Sequence, residues 1–318
     1  MTFEISGKKI LVTGGTGQIG SFLVEELVKK GAQVFVIGRS EKNLKEIKSL
    51  VKTTKIKFLE CDLTDIKKIS KISKSLSEIN FLVHLSSELS EIYDNPIDNA
   101  CYSVNLNING IINLLNILKK IEGVVYASST AVYGKTEKYP VNEENITNPI
   151  SFYGCSKLGA EKYLKIFSIF NSVPVTILRY STIYGPRNRT TQVIPVFIKN
   201  ALENKTIKLF GKGESIRDFV YISDVINATM KAIRNNQGGI FNIGTGIKHT
   251  MHELAEKISK LTNSKSKIIF EGVSDELNFL ANAEKSKIIL DFKSKINLDY
   301  GLSKEIEWHQ NNMKRKYK

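Results

Sequence analysis

Thr13-Gly14-Gly15-Thr16-Gly17-Gln18-Ile19-Gly20 follows the apolar run Ile10-Leu11-Val12 and precedes a helix-like stretch, Ser21–Lys30. Between a strand and a helix, Gly14, Gly17 and Gly20 supply a tight turn, let backbone N–H groups approach a pyrophosphate and let the helix pack on the sheet. Gln18 and Ile19, lying between these glycines, are counted with them as dinucleotide contacts. The next apolar run, Val34-Phe35-Val36-Ile37, arrives after about three helical turns, so strand, turn, helix and strand fit the roughly 30 residues of one βαβ unit.

The alternation continues. Strand-like runs at Lys9–Thr13, Gln33–Ile37, Ile56–Glu60, Phe81–Leu85, Gly123–Ser128 and Val175–Tyr180 are separated by helical stretches at about Ser21–Lys30, Ile66–Leu76, Tyr102–Lys119 and Tyr153–Phe170. This is the pattern of an α/β fold with a doubly wound parallel sheet, the Rossmann arrangement, in which ligands gather at the carboxyl ends of the strands. After Gly185-Pro186-Arg187 the alternation becomes irregular. The expected division is residues 1–180 as dinucleotide-binding domain with a return segment at about 218–247, and 181–217 with 248–318 as a smaller C-terminal substrate-binding cap.

Composition narrows the class. The chain has 318 residues, 42% of them hydrophobic, enough for a sizeable core. No stretch approaches the roughly 18–20 apolar residues of a membrane span, and the N-terminus runs quickly into a strand, so no membrane association and a cytoplasmic location are expected. Cys61, Cys101 and Cys155 are widely spaced and there are four histidines, so neither disulfides nor a metal site is expected. His249 and His252 are placed on one helix and read as ordinary surface residues. The net charge of +14 comes from lysines dispersed among Glu, Asp and Ser, for example over Lys42–Lys74, which reads as a solvated surface and not a nucleic-acid site. Its field favours an anionic small substrate.

Tyr153-Gly-Cys-Ser-Lys157 opens a helix-like segment, and a spacing of four puts phenol and ammonium on one helix face. Tyrosine normally titrates near pH 10, but an adjacent positive charge favours phenolate, and an oxidised nicotinamide adds a second, so Tyr153 can serve as base near neutral pH. Ser128-Ser129-Thr130 lies at the carboxyl end of the strand Val124–Ala127, where a hydroxyl can hydrogen-bond a reacting oxygen.

Five motifs now stand in order: the glycine turn, Ser129-Thr-Ala-Val-Tyr-Gly134, Tyr153-x-x-x-Lys157, Leu178-Arg-Tyr-Ser-Thr-Ile-Tyr-Gly-Pro186 and Arg217-Asp-Phe-Val-Tyr-Ile-Ser-Asp224. Over about residues 8 to 250 the chain resembles the extended short-chain dehydrogenases/reductases, among them the nucleotide-sugar epimerases and dehydratases of the UDP-glucose 4-epimerase kind. The resemblance implies Ser129 as the catalytic hydroxyl, Tyr153 as base and Lys157 as its modulator. It puts Asp62, with Leu63 beside it, at the adenine ring. Arg217 falls where the family holds the phosphates of a nucleotide-sugar, a role its planar fork of donors suits. Thr130, Thr182 and Arg187 complete the implied substrate contacts.

Family members oxidise the sugar at C4 by hydride transfer to the nicotinamide while tyrosine takes the hydroxyl proton. Relatives that dehydrate or decarboxylate the 4-keto sugar usually carry an acidic residue just after the catalytic Ser/Thr. Here those positions are Thr130 and Ala131, and alanine transfers no proton. The resemblance therefore favours 4-epimerisation. An NADPH-dependent 4-keto nucleotide-sugar reductase uses the same three residues and is the alternative; a 4,6-dehydratase or a non-catalytic NADP-binding regulatory protein is disfavoured.

NAD specificity usually rests on an acidic residue ending the second strand. This chain has Gly38-Arg39-Ser40, and because Arg39 and Ser40 can hold a 2′-phosphate, NADP is favoured, with NAD possible. The helices around Tyr102–Lys119 and Tyr153–Phe170 carry apolar residues on more than one side, including Ile111, Leu114, Leu118, Leu164, Ile166 and Phe170. Relatives use this helix pair as a dimer interface, so a homodimer is expected.

Overall fold

The structure is a computed structural model that describes residues 2–40, 55–88, 95–188, 191–273 and 277–316. Of the lysine-rich stretches, residues 41–54 and 317–318 lie outside the described residues.

β1 (Lys9–Thr13) runs through the glycine turn into α1 (Gln18–Lys29) and β2 (Gln33–Gly38). Then follow β3 (Ile56–Glu60), α2 (Ile66–Ile72), β4 (Phe81–His84), α3 (Pro96–Val104), α4 (Gly110–Ile117), β5 (Gly123–Ser129), α5 (Phe152–Asn171) and β6 (Val175–Tyr180). The later elements are β7 (Thr182–Tyr184), α6 (Val193–Leu202), β8 (Ile207–Phe210), β9 (Ile216–Arg217), β10 (Phe219–Tyr221), α7 (Ile222–Asn235) and β11 (Gly239–Ile243). β12 (His249–Thr250), α8 (Met251–Leu261), β13 (Ile268–Glu271), α9 (Glu284–Leu290) and α10 (Leu298–Lys316) complete the chain.

Seven strands form one sheet in the order β11-β6-β5-β4-β1-β2-β3, and the pairs from β3 to β5 are parallel. Ile10, Leu11 and Val12 of β1 and Phe81, Leu82 and Val83 of β4 are all wholly buried, as expected of parallel strands covered on both faces. The order reverses between β1 and β4, which opens a crevice at their carboxyl ends. Register aligns Ile37 with Thr13, Thr13 with His84, and His84 with Tyr126. The glycine turn after Thr13 and the serines after Tyr126 therefore leave the sheet at the same edge.

Helix starts follow local chemistry. Asp65 caps α2 by accepting from the Lys67 and Lys68 N–H groups, and Ser151 caps α5 by accepting from Gly154 N–H at 3.1 Å. α3 begins earlier than expected, because Asn95 accepts from Ile97 N–H at 2.9 Å and Pro96 takes the first helical position. A π-turn, Asn105–Asn109, separates α3 from α4. His249 lies on a strand, because Thr250 caps α8 by accepting from Glu253 N–H and the helix starts after it. The two histidines thus do not share a helix.

The chain divides into two compact units: Met1–Gly134, Ile146–Arg179 and Ile226–Phe241 form the first, and Lys135–Asn145, Tyr180–Val225 and Asn242–Lys318 the second. In the second unit the ladders are short, β10 with β7 and β13 with β8 in parallel, β12 with β9 antiparallel. Segment 135–145 belongs there by its hydrogen bonds: Thr136 Oγ1 donates to Asn278 O, Val141 N–H to Leu280 O and Asn282 N–H to Val141 O. No helix among the described residues is long and apolar enough to cross a membrane.

Candidate active site

Gly14 has a φ of +65°, a backbone conformation that side chains resist, and a Cβ there would meet Ser86 N at 2.9 Å. A Cβ on Gly20 would lie 2.2 Å from Gly14 O, so only glycine lets α1 pack this closely on the turn. Gly17 is the N-cap of α1, no side chain caps that end, and its first turn, which holds Gln18 and Ile19, carries no acidic residue. An open, positive helix end at the switch point of the sheet fits a pyrophosphate.

Arg39 and Ser40 follow β2 and are exposed, and Arg39 Nη1 donates to the Tyr102 hydroxyl at 3.3 Å. Asp62 follows β3 and its Oδ1 accepts from Thr64 N–H and Oγ1 at 2.9 and 2.8 Å; Leu63 is buried. Among the described residues no group of three or more His, Cys, Asp or Glu side chains gathers as a metal site would need.

Ser129 ends β5, and its Oγ accepts from Ala131 N–H at 3.1 Å, capping the short 3-10 turn Thr130–Tyr133. Tyr153 lies in the first turn of α5, and the next residue brings the two segments together. A Cβ on Gly154 would lie 2.7 Å from Ala131 O and 2.9 Å from Pro149 Cβ. Hence the helix start packs directly on the turn that follows Ser129. Lys157, one turn further on, is 1% exposed and donates to Ala127 O at 2.7 Å. Its ammonium lies 5.7 Å from the centre of the Tyr153 ring and 4.9 Å from that of Tyr126. Burial pushes its pKa down to about 7, with the nearby Glu161 carboxylate opposing that fall.

Several residues around this group had no sequence signal. His84 is fully buried at the end of β4; its Nδ1 contacts Thr13 Oγ1 at 3.1 Å, and burial together with Lys157 pushes it down to about 3, so it is neutral. Its Nε2, like the hydroxyl of the stacked Tyr126, finds no hydrogen-bond partner among the described residues. Asn107, buried in the π-turn, donates to Ser156 Oγ at 2.9 Å, and Ser156 Oγ donates to Tyr153 O at 2.9 Å. Behind Lys157, Glu161 accepts from Ser128 Oγ at 2.5 Å and pairs with Arg179 at 2.6 Å.

In the second unit, Thr182 N–H donates to Asp218 O at 3.0 Å, which places Thr182 beside Arg217. Arg217 Nη1 donates to the carbonyls of Ile216 and Leu277. The buried Asp218 carboxylate accepts from Thr245 N–H and Oγ1, Gly246 N–H and Ala281 N–H, which braces this strand pair. Arg187 has a φ of +65° in the turn after β7, and Gly185 N–H in that turn donates to the buried Glu305 at 2.8 Å.

A glycine turn at the switch point of a parallel sheet, with Ser129, Tyr153 and Lys157 gathered at the same edge, defines a nicotinamide-dinucleotide enzyme of the short-chain dehydrogenase/reductase type. The chain belongs to the NAD dependent epimerase/dehydratase family, whose profile matches residues 10–244. It is similar to a putative UDP-glucose 4-epimerase of Methanocaldococcus jannaschii, 32% identical over 310 residues that span 95% of this chain and 99% of that protein. A UDP-N-acetyl-alpha-D-glucosaminuronate decarboxylase of Bacillus cytotoxicus is 31% identical over 95% of this chain and 97% of its own length. Among solved structures, the UDP-glucuronic acid 4-epimerase of Bacillus cereus in complex with UDP-glucuronic acid and NAD matches with a TM-score of 0.87 at 28% identity, covering 96% of this chain and 99% of that one. The cofactor named for the family and for that structure is NAD, so the expected preference for NADP, drawn from Arg39 and Ser40, finds no support.

Proposed function

We propose that this protein is a nucleotide-sugar 4-epimerase acting on a UDP-hexose, with Ser129, Tyr153 and Lys157 as its catalytic residues and NAD as its resident dinucleotide. The observation that carries this reading is the packing of the Tyr153 helix start on the Ser129–Tyr133 turn, where the residue facing Gly154 is Ala131. That turn offers a hydroxyl for the C4 oxygen and no second acid, so a 4-keto sugar formed there has no group at Ala131 to carry it on to dehydration or decarboxylation.

Tyr153 takes the C4 hydroxyl proton, Ser129 donates a hydrogen bond to the C4 oxygen, and the Lys157 ammonium favours the tyrosinate. When bound, the dinucleotide would supply the hydride acceptor and donor for C4. Tyr153 returns its proton to the C4 oxygen, and inversion follows from the hydride coming back to the opposite face of C4. Gly14, Gly17, Gln18, Ile19 and Gly20 would hold the pyrophosphate, and Asp62 and Leu63 would contact the adenine. Arg39 and Ser40, which follow β2, would contact the dinucleotide.

The nucleotide-sugar contacts that the resemblance implies are Thr182, Arg187 and Arg217 of the second unit and Thr130 of the first. The reading of UDP follows the UDP-sugars named for the relatives. A homodimer fits the surface: Ile111, Leu114, Leu118 and Leu164 are core, whereas Tyr163, Ile166 and Phe170 lie at i, i+3 and i+7 on α5 and are 54%, 51% and 83% exposed.

The test is incubation of the purified protein with UDP-, dTDP-, GDP- and CDP-hexoses without added cofactor. Inversion at C4 supports the reading. Turnover restricted to 4-keto sugars, with stoichiometric loss of NADPH, would replace it with the reductase.

A further inference from the structure

Glu161 lies one helical turn beyond Lys157 on α5 and is 2% exposed. The two residues touch consecutive positions of β5: Lys157 donates to Ala127 O, and Ser128 Oγ donates to Glu161 Oε1 at 2.5 Å. Arg179 of β6 closes the group from the other side. Its Nε donates to Glu161 Oε1 at 3.0 Å, its Nη2 to Oε2 at 2.6 Å, and its Nη1 to the Tyr133 hydroxyl at 2.9 Å, with the guanidinium 4.8 Å from the Tyr133 ring centre. Ser128 precedes Ser129, and Tyr133 ends the turn that Ser129 caps. The catalytic serine is therefore bracketed by two residues that Glu161 and Arg179 hold.

A buried ion pair is a weak source of stability, because desolvating both charges offsets most of their attraction. Its cost makes sense where the charge acts on something else. The titratable groups facing Lys157 are Tyr153 and Glu161 on its own helix, Tyr126 on β5 and His84 on β4, with Arg179 behind Glu161. His84 is neutral and burial holds the Tyr126 phenol protonated. Among the described residues, Glu161 is the anion left to keep Lys157 an ammonium.

We propose that Glu161, with Arg179 as its counter-ion, is a positioning residue of the catalytic group: it ties the strand end bearing Ser129 to the helix bearing Tyr153 and keeps Lys157 charged beside that tyrosine. This rests on Tyr153 being the base and Lys157 its modulator. Glu161 sits one turn from Lys157 and two from Tyr153, so its field stabilises the ammonium more than it opposes the phenolate. Without the carboxylate, Lys157 gives up its proton more readily and Tyr153 loses the charge that favours its phenolate.

The experiment follows the near-ultraviolet phenolate absorbance of the purified protein against pH, with each variant's Tyr153→Phe counterpart subtracted so that only Tyr153 is read. In Glu161→Gln the Tyr153 transition moves up by about one pH unit, with kcat at neutral pH down about tenfold and KM within about twofold. In a Lys157→Met background the same substitution gives no upward shift, because its route through Lys157 is gone. Glu161→Met/Arg179→Met, which removes both charges at similar volume, guards against misfolding and gives the same shift.

A folded variant with an unshifted transition and full kcat overturns the proposal, and so does an upward shift that persists in the Lys157→Met background. Failure of both Glu161 variants to fold makes the pair a determinant of the fold alone and overturns it as well. Turnover retained by Tyr153→Phe refutes the base assignment itself, which keeps the two failures distinct.

Discussion

Gly154→Ala perturbs one contact between the helix bearing Tyr153 and the turn bearing Ser129. The added Cβ would lie 2.7 Å from Ala131 O, against the 3.4 Å at which ordinary contact begins, so the segments must separate by the difference, 3.4 − 2.7 = 0.7 Å. Neither neighbour yields cheaply, since one is a backbone oxygen and the other, Pro149 Cβ at 2.9 Å, belongs to a rigid ring. A displacement of about 1 Å in a reacting geometry costs on the order of a hundredfold, so this variant should lose at least about tenfold in kcat. Alanine's better helix propensity, up to about 1 kcal/mol, partly offsets an overpacking cost of about 1–3 kcal/mol, so Tm should fall by only a few degrees. KM should stay within about twofold, because the nucleotide-sugar contacts proposed for the second unit are untouched. Gly159→Ala on the same helix is the control: its Cβ would meet the flexible end of Ile108, Cδ1 at 2.8 Å, and kcat should hold. The assay is kcat, KM and Tm for the three proteins on the sugar that the panel identifies. Native kcat in Gly154→Ala would refute the argument that this contact sets the distance between Ser129 and Tyr153.

Tyr153→Phe should abolish C4 inversion while the dinucleotide stays bound, measured by turnover and by cofactor retained through gel filtration. Arg39→Asp should strengthen any preference for NAD over NADP, read from the two dissociation constants; unchanged constants would remove Arg39 from cofactor recognition. Glu305, which burial pushes up to about 8 while Gly185 N–H opposes the rise, binds a proton in the folded chain over a range where an ordinary carboxylate has lost it. Stability should therefore fall as pH rises from about 4.5 to about 8, by at most ~5 kcal/mol. Glu305→Gln, which still accepts from Gly185, should flatten that fall in a pH series of melting temperatures; an equal slope in both proteins would contradict it.

The first half of the fold was legible because parallel strands buried on both faces read as unbroken apolar runs, and the glycine turn marks where the sheet meets its first helix. Tyr153 and Lys157 stood out by their spacing and Ser129 by the resemblance to a known family, and all three lie near the carboxyl end of β5. What escaped was set by tertiary partners. Glu161 looks like one more polar residue of an amphipathic helix, yet it is buried because Arg179, eighteen positions later in the chain, meets it from β6. Segment 135–145 joins the second unit through backbone hydrogen bonds to Leu280 and Asn282 and a Thr136 hydroxyl bond to Asn278, which leave no periodicity to read. The apolar residues of the helices divided: Ile111 and Leu164 are core, Ile166 and Phe170 are exposed, a distinction that needs the packed neighbours. Two signals were legible and unused, the Asn95-Pro96 start of α3 and the Thr250…Glu253 start of α8.

The central claim is that one hydride leaves C4 and returns to the same sugar. Deuterium at C4 of the panel sugar that turns over, incubated with the purified protein and no added cofactor, reports this by NMR. The account predicts the C4-inverted sugar with deuterium still at C4. Loss of the label, inversion that consumes NADH or NADPH in step with product, or no inversion of any sugar in the panel would contradict it.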